Sequence, residues 1–295
     1  MQAHKTTMDQ ADRLRCLVKP KPVKVIAICS GKGGVGKTNV SVNLAVAMAK
    51  ENKEVMLLDA DMGLANVDVL LGLSPSYDLS HVINGERTLE EVIVEGPSNL
   101  KIIPASSGSS RMANLTPVEQ AGLIDAFSEM GHTLDVLIID TAAGIASSVV
   151  NLCSASQEVI VVVCDEPASI TDAYALIKVM SREHNISRFQ ILANMAHTAY
   201  EGRELFHKLS KATNQFLDVM LTFMGSIPYD ANLRKAVQHQ RAVVEAYPRS
   251  TSALALKKLA KQVNAWPEST TTNGQLEFFL ERMIHCDSST QEVYK

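Results

Sequence analysis

The sequence predicts an α/β fold: a mostly parallel sheet of about seven strands, helices on both faces, and an amphipathic helix near each end of the chain. Three observations predict it. Short apolar runs rich in Val and Ile recur along the chain, each ending near a small or acidic residue. Helical stretches separate these runs. A glycine-rich loop stands where the first run gives way to the first helical stretch.

The apolar runs cover residues 23–30, 55–59, 100–105, 135–140, 158–165, 189–194 and 223–228. Continuous apolar runs of this length are the signature of strands buried on both faces. Between them lie helical candidates at 38–51, 116–130, 147–156, 170–184 and 201–221. Such alternation implies parallel pairing through crossover connections. It makes residues 22–266 one α/β domain. Residues 1–21 form an N-terminal extension in which Met8, Ala11, Leu14 and Val18 make a helical stripe, stopped by Lys19-Pro20-Lys21-Pro22. Residues 267–295 begin as a polar linker and end in a second stripe, Leu276, Phe279, Leu280, Met283 and Ile284, spaced as one helical face.

Composition narrows the function. The 295 residues carry 28 Lys plus Arg against 32 Asp plus Glu, and 46% are hydrophobic, a balance suited to a protein with a substantial core. No apolar run approaches the roughly 18 residues of a membrane span, and the first 30 residues lack the pattern of a secretory signal. Five cysteines without close pairs argue against a disulfide scaffold or a zinc site, and point to a reducing cytosol. Residues 1–24 hold six bases and two acids, net +4, leaving −8 on the rest. This basic start reads as a transit peptide or a solvated tail. The acidic body makes direct nucleic-acid binding unexpected.

Ser30-Gly31-Lys32-Gly33-Gly34-Val35-Gly36-Lys37-Thr38 satisfies G-x-x-x-x-G-K-[ST], the P-loop, between a strand and a helix. Its glycines let consecutive N–H groups turn towards phosphate oxygens at a helix N-terminus. Lys37 reaches the β- and γ-phosphates of a nucleotide such as ATP, and the Thr38 hydroxyl ligates Mg²⁺. Asn39 follows in the same turn and counts with Gly31 to Thr38 as nucleotide-binding. Lys32 is a second cation that this motif does not require; it is suited to stabilising a transition state, in its own site or across a dimer.

Asp59 and Asp61 end the second strand, and side chains two apart point the same way in extended backbone. Open α/β sheets bind ligands at the carboxyl ends of their strands. Asp61 is suited to orienting the attacking water and Asp59 to supporting the Mg²⁺ shell. Asp140 closes a later strand, the Walker B arrangement that holds Mg²⁺ through water.

The loop resembles the deviant Walker A motif, K-G-G-x-G-K-[ST], of the MinD/ParA family of dimerising ATPases. Resemblance gives Lys32 contact with the nucleotide of the other subunit of a homodimer. It makes Asp61, in Asp59-Ala60-Asp61-Met62-Gly63, the hydrolytic aspartate. It sets Asn194 against the adenine, with Pro228, Tyr229 and Asp230 along base and ribose.

Asn66-Val67-Asp68-Val69-Leu70-Leu71-Gly72-Leu73, Asp165-Glu166-Pro167 and Arg234-Lys235-Ala236-Val237 resemble the family's flagellar number regulators, the FlhG or FleN group. Asp9-Gln10-Ala11-Asp12-Arg13-Leu14-Arg15 fits the D-Q-A-x-x-L-R pattern by which members engage and stimulate the flagellar GTPase FlhF. Asp9, Gln10, Ala11, Leu14 and Arg15 are its partner-binding residues. Resemblance further implies restraint of flagellar number through the master transcription regulator and placement at the cell pole. It also makes the C-terminal stripe a reversible contact with the inner face of the cell membrane. Residues 268–295 carry five acids and two bases, which suits anionic lipid poorly and leaves open a helix packed on the domain. A ParA- or MinD-type partition or division-site ATPase, and a purely nucleotide-gated binding module, are the competing readings.

Overall fold

The first strand, β1 (Lys24–Ser30), has six of its seven residues buried and runs through the interior of an eight-stranded sheet. The computed structural model describes residues 22–61, 66–105, 122–124, 126, 127, 130 and 133–267. The other strands are β2 (Val55–Ala60), β3 (Val94–Glu95), β4 (Lys101–Ile103), β5 (Val136–Ala143), β6 (Glu158–Val163), β7 (Arg188–Ala196) and β8 (Met220–Pro228). Their order across the sheet is β3-β4-β2-β5-β1-β6-β7-β8. All neighbours pair in parallel except β3 with β4, which is antiparallel. β3 is the eighth strand that the apolar pattern missed. Two residues long and partly exposed, it takes only Val94 from the short run Val92-Ile93-Val94, whose first two residues close α4.

Alternate residues of the central strands feed opposite faces. Ile26 and Ile28 of β1, Leu57 and Ile138 pack beneath α1 (Lys37–Ala49) and α10 (Thr251–Asn264). The intervening Val25, with Met56, Leu137 and Ile139, packs against α3 (Leu79–Ile83), α4 (Leu89–Val92), Leu123 and Phe127. Further along that second face, Ala27, Val161 and Ile191 meet α5 (Ser147–Ala155), α6 (Pro167–His184) and α7 (Ala199–Phe216). The short α2 (Val67–Leu71), α8 (Ala231–Gln238) and α9 (Val243–Ala246) complete the first face.

The helix expected over 201–221 stops at Phe216. Leu217 is extended, its N–H closing the last turn on the Thr213 carbonyl at 2.7 Å, and β8 already begins at Met220. The run Phe216-Leu217-Asp218-Val219-Met220-Leu221 is nearly all apolar, so periodicity alone could not separate a helix end from a strand start. Of the expected 116–130 helix, the described residues 122–124, 126, 127 and 130 are helical. At the opposite edge from the loops, Lys24 Nζ donates to the carbonyls of Val263 and Trp266, each at 2.9 Å, tying the start of β1 to the end of α10. No helix among the described residues is long and apolar enough to cross a membrane.

Phe189, near the start of β7, is 1% exposed in the part of the second face covered by α5, α6 and α7. Phe189→Ala is expected to lower the unfolding free energy by about 3–5 kcal/mol, read from urea denaturation. An unchanged midpoint would mean that this layer is not packed as described.

Candidate active site

Parallel register brings the carboxyl ends of β1, β2 and β5 to one rim. Asp140 sits opposite Ile28 of β1 and Asp59 of β2, two residues before the P-loop opens at Ser30. The P-loop turns into α1 through Gly36, whose φ of 84° is left-handed and strained for any other residue. Among the described residues no side chain caps α1, and its first turn carries no acid. The first-turn N–H groups therefore keep their donors and their positive dipole end for a ligand. Gly31 answers a different need: a Cβ there would lie 2.2 Å from the backbone carbon of Asp172, so the loop is seated directly on α6.

Lys37 is 7% exposed, and its ammonium lies 2.9 Å from Oδ1 of Asp140, which is fully buried. Ser41 Oγ donates to the same oxygen at 2.7 Å. The second oxygen, Oδ2, is buried without a hydrogen-bond partner among the described residues. An orphaned carboxylate oxygen beside an uncapped helix N-terminus fits a phosphate-bound divalent cation. Mg²⁺ needs only one or two protein carboxylates when phosphates and water complete its shell. Thr38, half-buried in the first turn of α1, is the other ligand available. Asn39, next in the helix, also holds a buried side-chain oxygen without a partner.

Asp59, expected to support the metal shell, is hydrogen-bonded to the backbone that follows it. Its Oδ1 accepts from the Asp61 N–H at 3.1 Å, and its Oδ2 from the Asn66 and Val67 N–H groups at 3.1 and 3.2 Å. Burial is the main push that raises its carboxyl to about 6, with the nearby charge of Asp140 adding to it and the three N–H groups opposing it. Both oxygens thus take part in holding the backbone around Asp61 and the start of α2, and Oδ1, with one such bond, keeps acceptor capacity. Asp61 itself stands half-buried on the rim.

Lys32 is 39% exposed and pairs at 2.7 Å with Glu166, the residue preceding α6. The hydrogen bond and the charge of Glu166 both raise its pKa. Asn194 is 6% exposed; its Nδ2 donates to the Val35 carbonyl at 2.7 Å and lies where a Cβ on Gly36 would be. β7 kinks there, with a register shift and Met195 at φ 57°, which turns Asn194 under the P-loop. Its described contact is therefore a brace on the loop.

Pro228 ends β8 opposite Ala196, and Tyr229 is 56% exposed beside the His197 ring, with centroids 5.7 Å apart. Asp230, expected along the base and ribose, is a helix cap. Oδ1 accepts from the Asn232 N–H at 2.8 Å, while Oδ2 accepts from the Ser252 N–H at 3.0 Å and the Ser252 hydroxyl at 2.7 Å. The sequence signal for this was available, since an Asp two residues before Asn232 at a helix start is a standard cap. Ser41 and Glu166 were the contacts that sequence reasoning missed. Asp9, Gln10, Ala11, Leu14 and Arg15, and likewise Leu276, Phe279, Leu280, Met283 and Ile284, lie outside the described residues.

Comparison with known proteins agrees with this geometry. The family described as ParA, NUBPL iron-transfer P-loop NTPase, matches residues 21–264. The chain is 59% identical over 263 residues to the antiactivator FleN of Pseudomonas aeruginosa, covering 89% of this chain and 94% of that protein. It is 35% identical over 241 residues to the flagellum site-determining protein YlxH of Helicobacter pylori, covering 80% of each. Among solved structures, the septum site-determining protein MinD of Pyrococcus horikoshii, complexed with Mg-ADP, superposes with a TM-score of 0.65 at 25% identity, covering 84% of this chain and all of that one.

Asp230 supplies a further check. Burial alone would raise its pKa, but the hydrogen bonds from Ser252 and Asn232 outweigh it and hold the carboxyl at about 2. That value lies below the unfolded one of 3.8, so the cap's contribution is complete above about pH 4 and is lost as pH falls through 2. Asp230→Ala is expected to cost about 1–2 kcal/mol near neutrality. Its stability curve should converge on that of the unsubstituted protein in strong acid. Parallel curves down to pH 2 would remove the cap assignment.

Proposed function

The chain belongs to the MinD/ParA family of P-loop NTPases, and from that premise we propose an ATP-dependent switch that dimerises when ATP is bound and reopens on hydrolysis. The observation that carries this reading is the contrast between its two P-loop lysines. Lys37 is buried against Asp140, inside the phosphate cradle. Lys32 stands on the rim with its ammonium turned sideways to Glu166 and solvent, where a second copy can meet it.

The residues divide the chemistry. The P-loop backbone and the N-terminus of α1 bind the triphosphate, and Lys37 exchanges Asp140 for its β- and γ-oxygens. Thr38 and Asp140 would hold Mg²⁺, with Asp59 supporting its shell, and the ion would supply positive charge against the phosphates. Asp61, on backbone anchored by Asp59, orients the attacking water. Lys32 leaves Glu166 and lends its charge to the partner's nucleotide, where developing negative charge is greatest.

Within the family, the 59% likeness to an antiactivator and the 35% likeness to a flagellum site-determining protein support a role in limiting flagellar number and helping to position flagella. Restraint would act through the flagellar master transcription regulator, and the D-Q-A-x-x-L-R segment would engage and stimulate FlhF. The site of action on this reading is the cytoplasm and the inner face of the membrane at the cell pole, with the 276–284 stripe as a modest lipid contact. The acidic body favours this over a DNA-partition ATPase, and retention on non-specific DNA at physiological salt would reverse that preference.

Sizing by light scattering with saturating ATP and Mg²⁺ tests the switch. Asp61→Ala is expected to persist as a dimer with hydrolysis abolished, while Lys32→Ala remains monomeric. A Lys32→Ala protein that dimerises like the unsubstituted one would end the cross-subunit reading. Deletion of residues 274–295 should reduce liposome co-sedimentation in ATP, and unchanged binding would exclude the stripe as the lipid contact.

A further inference from the structure

Ser41 is fully buried one helical turn after Lys37, on the same face of α1. Its hydroxyl has a single proton and two acceptors in reach, the Lys37 carbonyl at 3.1 Å and Asp140 Oδ1 at 2.7 Å. The shorter, charged acceptor takes the proton. Asp140 Oδ1 is thereby held by both the ammonium of Lys37 and the hydroxyl of Ser41, while Oδ2 is left buried and unpartnered among the described residues. The two holders are not equivalent. Lys37 has a competing ligand, the phosphates; Ser41 has none.

We propose that Ser41 is the positioning residue of the metal site: it keeps Oδ1 of Asp140 engaged when Lys37 moves to the nucleotide, so that Oδ2 stays turned towards the cation. The inference rests on the ATP and Mg²⁺ reading above and adds to it a residue outside the P-loop motif. A buried carboxylate whose Oδ1 had no donor besides Lys37 would be free to rotate once Lys37 moved, and rotation turns Oδ2 away from the cation. A hydrogen bond from a fixed helical hydroxyl prevents that rotation. Outer-sphere donors of this type typically change metal affinity by about 10–100-fold when removed.

The test is nucleotide binding rather than turnover. Affinity for a fluorescent ATP analogue is measured for the full chain in EDTA and across a Mg²⁺ titration, for the unsubstituted protein, Ser41→Ala and Ser41→Thr. Ser41→Ala is expected to keep its EDTA affinity within about twofold and to need at least about tenfold more Mg²⁺ for half of the metal-dependent gain. Ser41→Thr, which retains the hydroxyl, should recover most of that shift. An unaltered Mg²⁺ requirement in Ser41→Ala overturns the proposal. So does an equal loss of affinity in EDTA, or a collapse of the fold, because each makes the serine a packing residue. If the unsubstituted protein gains nothing from Mg²⁺, the ATP and Mg²⁺ reading fails instead, and the two failures are distinguishable.

Discussion

A single carboxylate, Asp140, sets the terms for the rest of this molecule. It is fully buried at the carboxyl end of an interior strand, and a charge in that position is tolerated only with a partner. Lys37 supplies the partner, itself nearly buried. Removing one member of such a pair leaves an uncompensated charge worth about 3–5 kcal/mol of destabilisation. The pair can nevertheless separate productively when something more highly charged arrives. On the proposed reading a triphosphate would satisfy Lys37 and a divalent cation Asp140, so that neither charge would be left uncompensated.

The scaffold around this pair is stiff where the chemistry needs it to be. Gly31 lies against the α6 backbone, Asn194 holds the Val35 carbonyl from beneath, and the Gly144 N–H closes on the Ser30 carbonyl at 2.9 Å. The P-loop is thus fixed by contacts from three different elements. On the neighbouring strand, Asp59 gathers the N–H groups of Asp61, Asn66 and Val67. Displacing the backbone at Asp61 therefore disturbs the start of α2, and the residue proposed to orient the attacking water is joined to a helix whose Val69 is 63% exposed.

Much of this was legible in the sequence, for identifiable reasons. Buried parallel strands announce themselves as unbroken Val and Ile runs, and all seven expected runs fall on strands within three residues of their ends. The last, at 223–228, began three residues late because the preceding apolar segment could be read as helix. The P-loop was legible because its chemistry demands fixed residues at fixed spacing. What escaped depended on where a side chain turns. Asp230 and Asn194 carry the expected functional groups on the expected rim, and each has besides a contact that only the fold shows, one in a helix cap and the other on a loop carbonyl. Ser41 looks in sequence like any small residue of a buried helix. Only the fold shows Asp140, 99 residues away, at its hydroxyl.

The Lys24 tether has a consequence of its own. By joining the foot of β1 to the carbonyls of Val263 and Trp266, it clasps the first strand to the last described helix across 239 and 242 residues of chain, so β1 cannot shift along the sheet without pulling on α10. β1 spans seven residues, so that clasp lies about 20 Å from the phosphate rim and anchors from below the strand on which the P-loop is mounted.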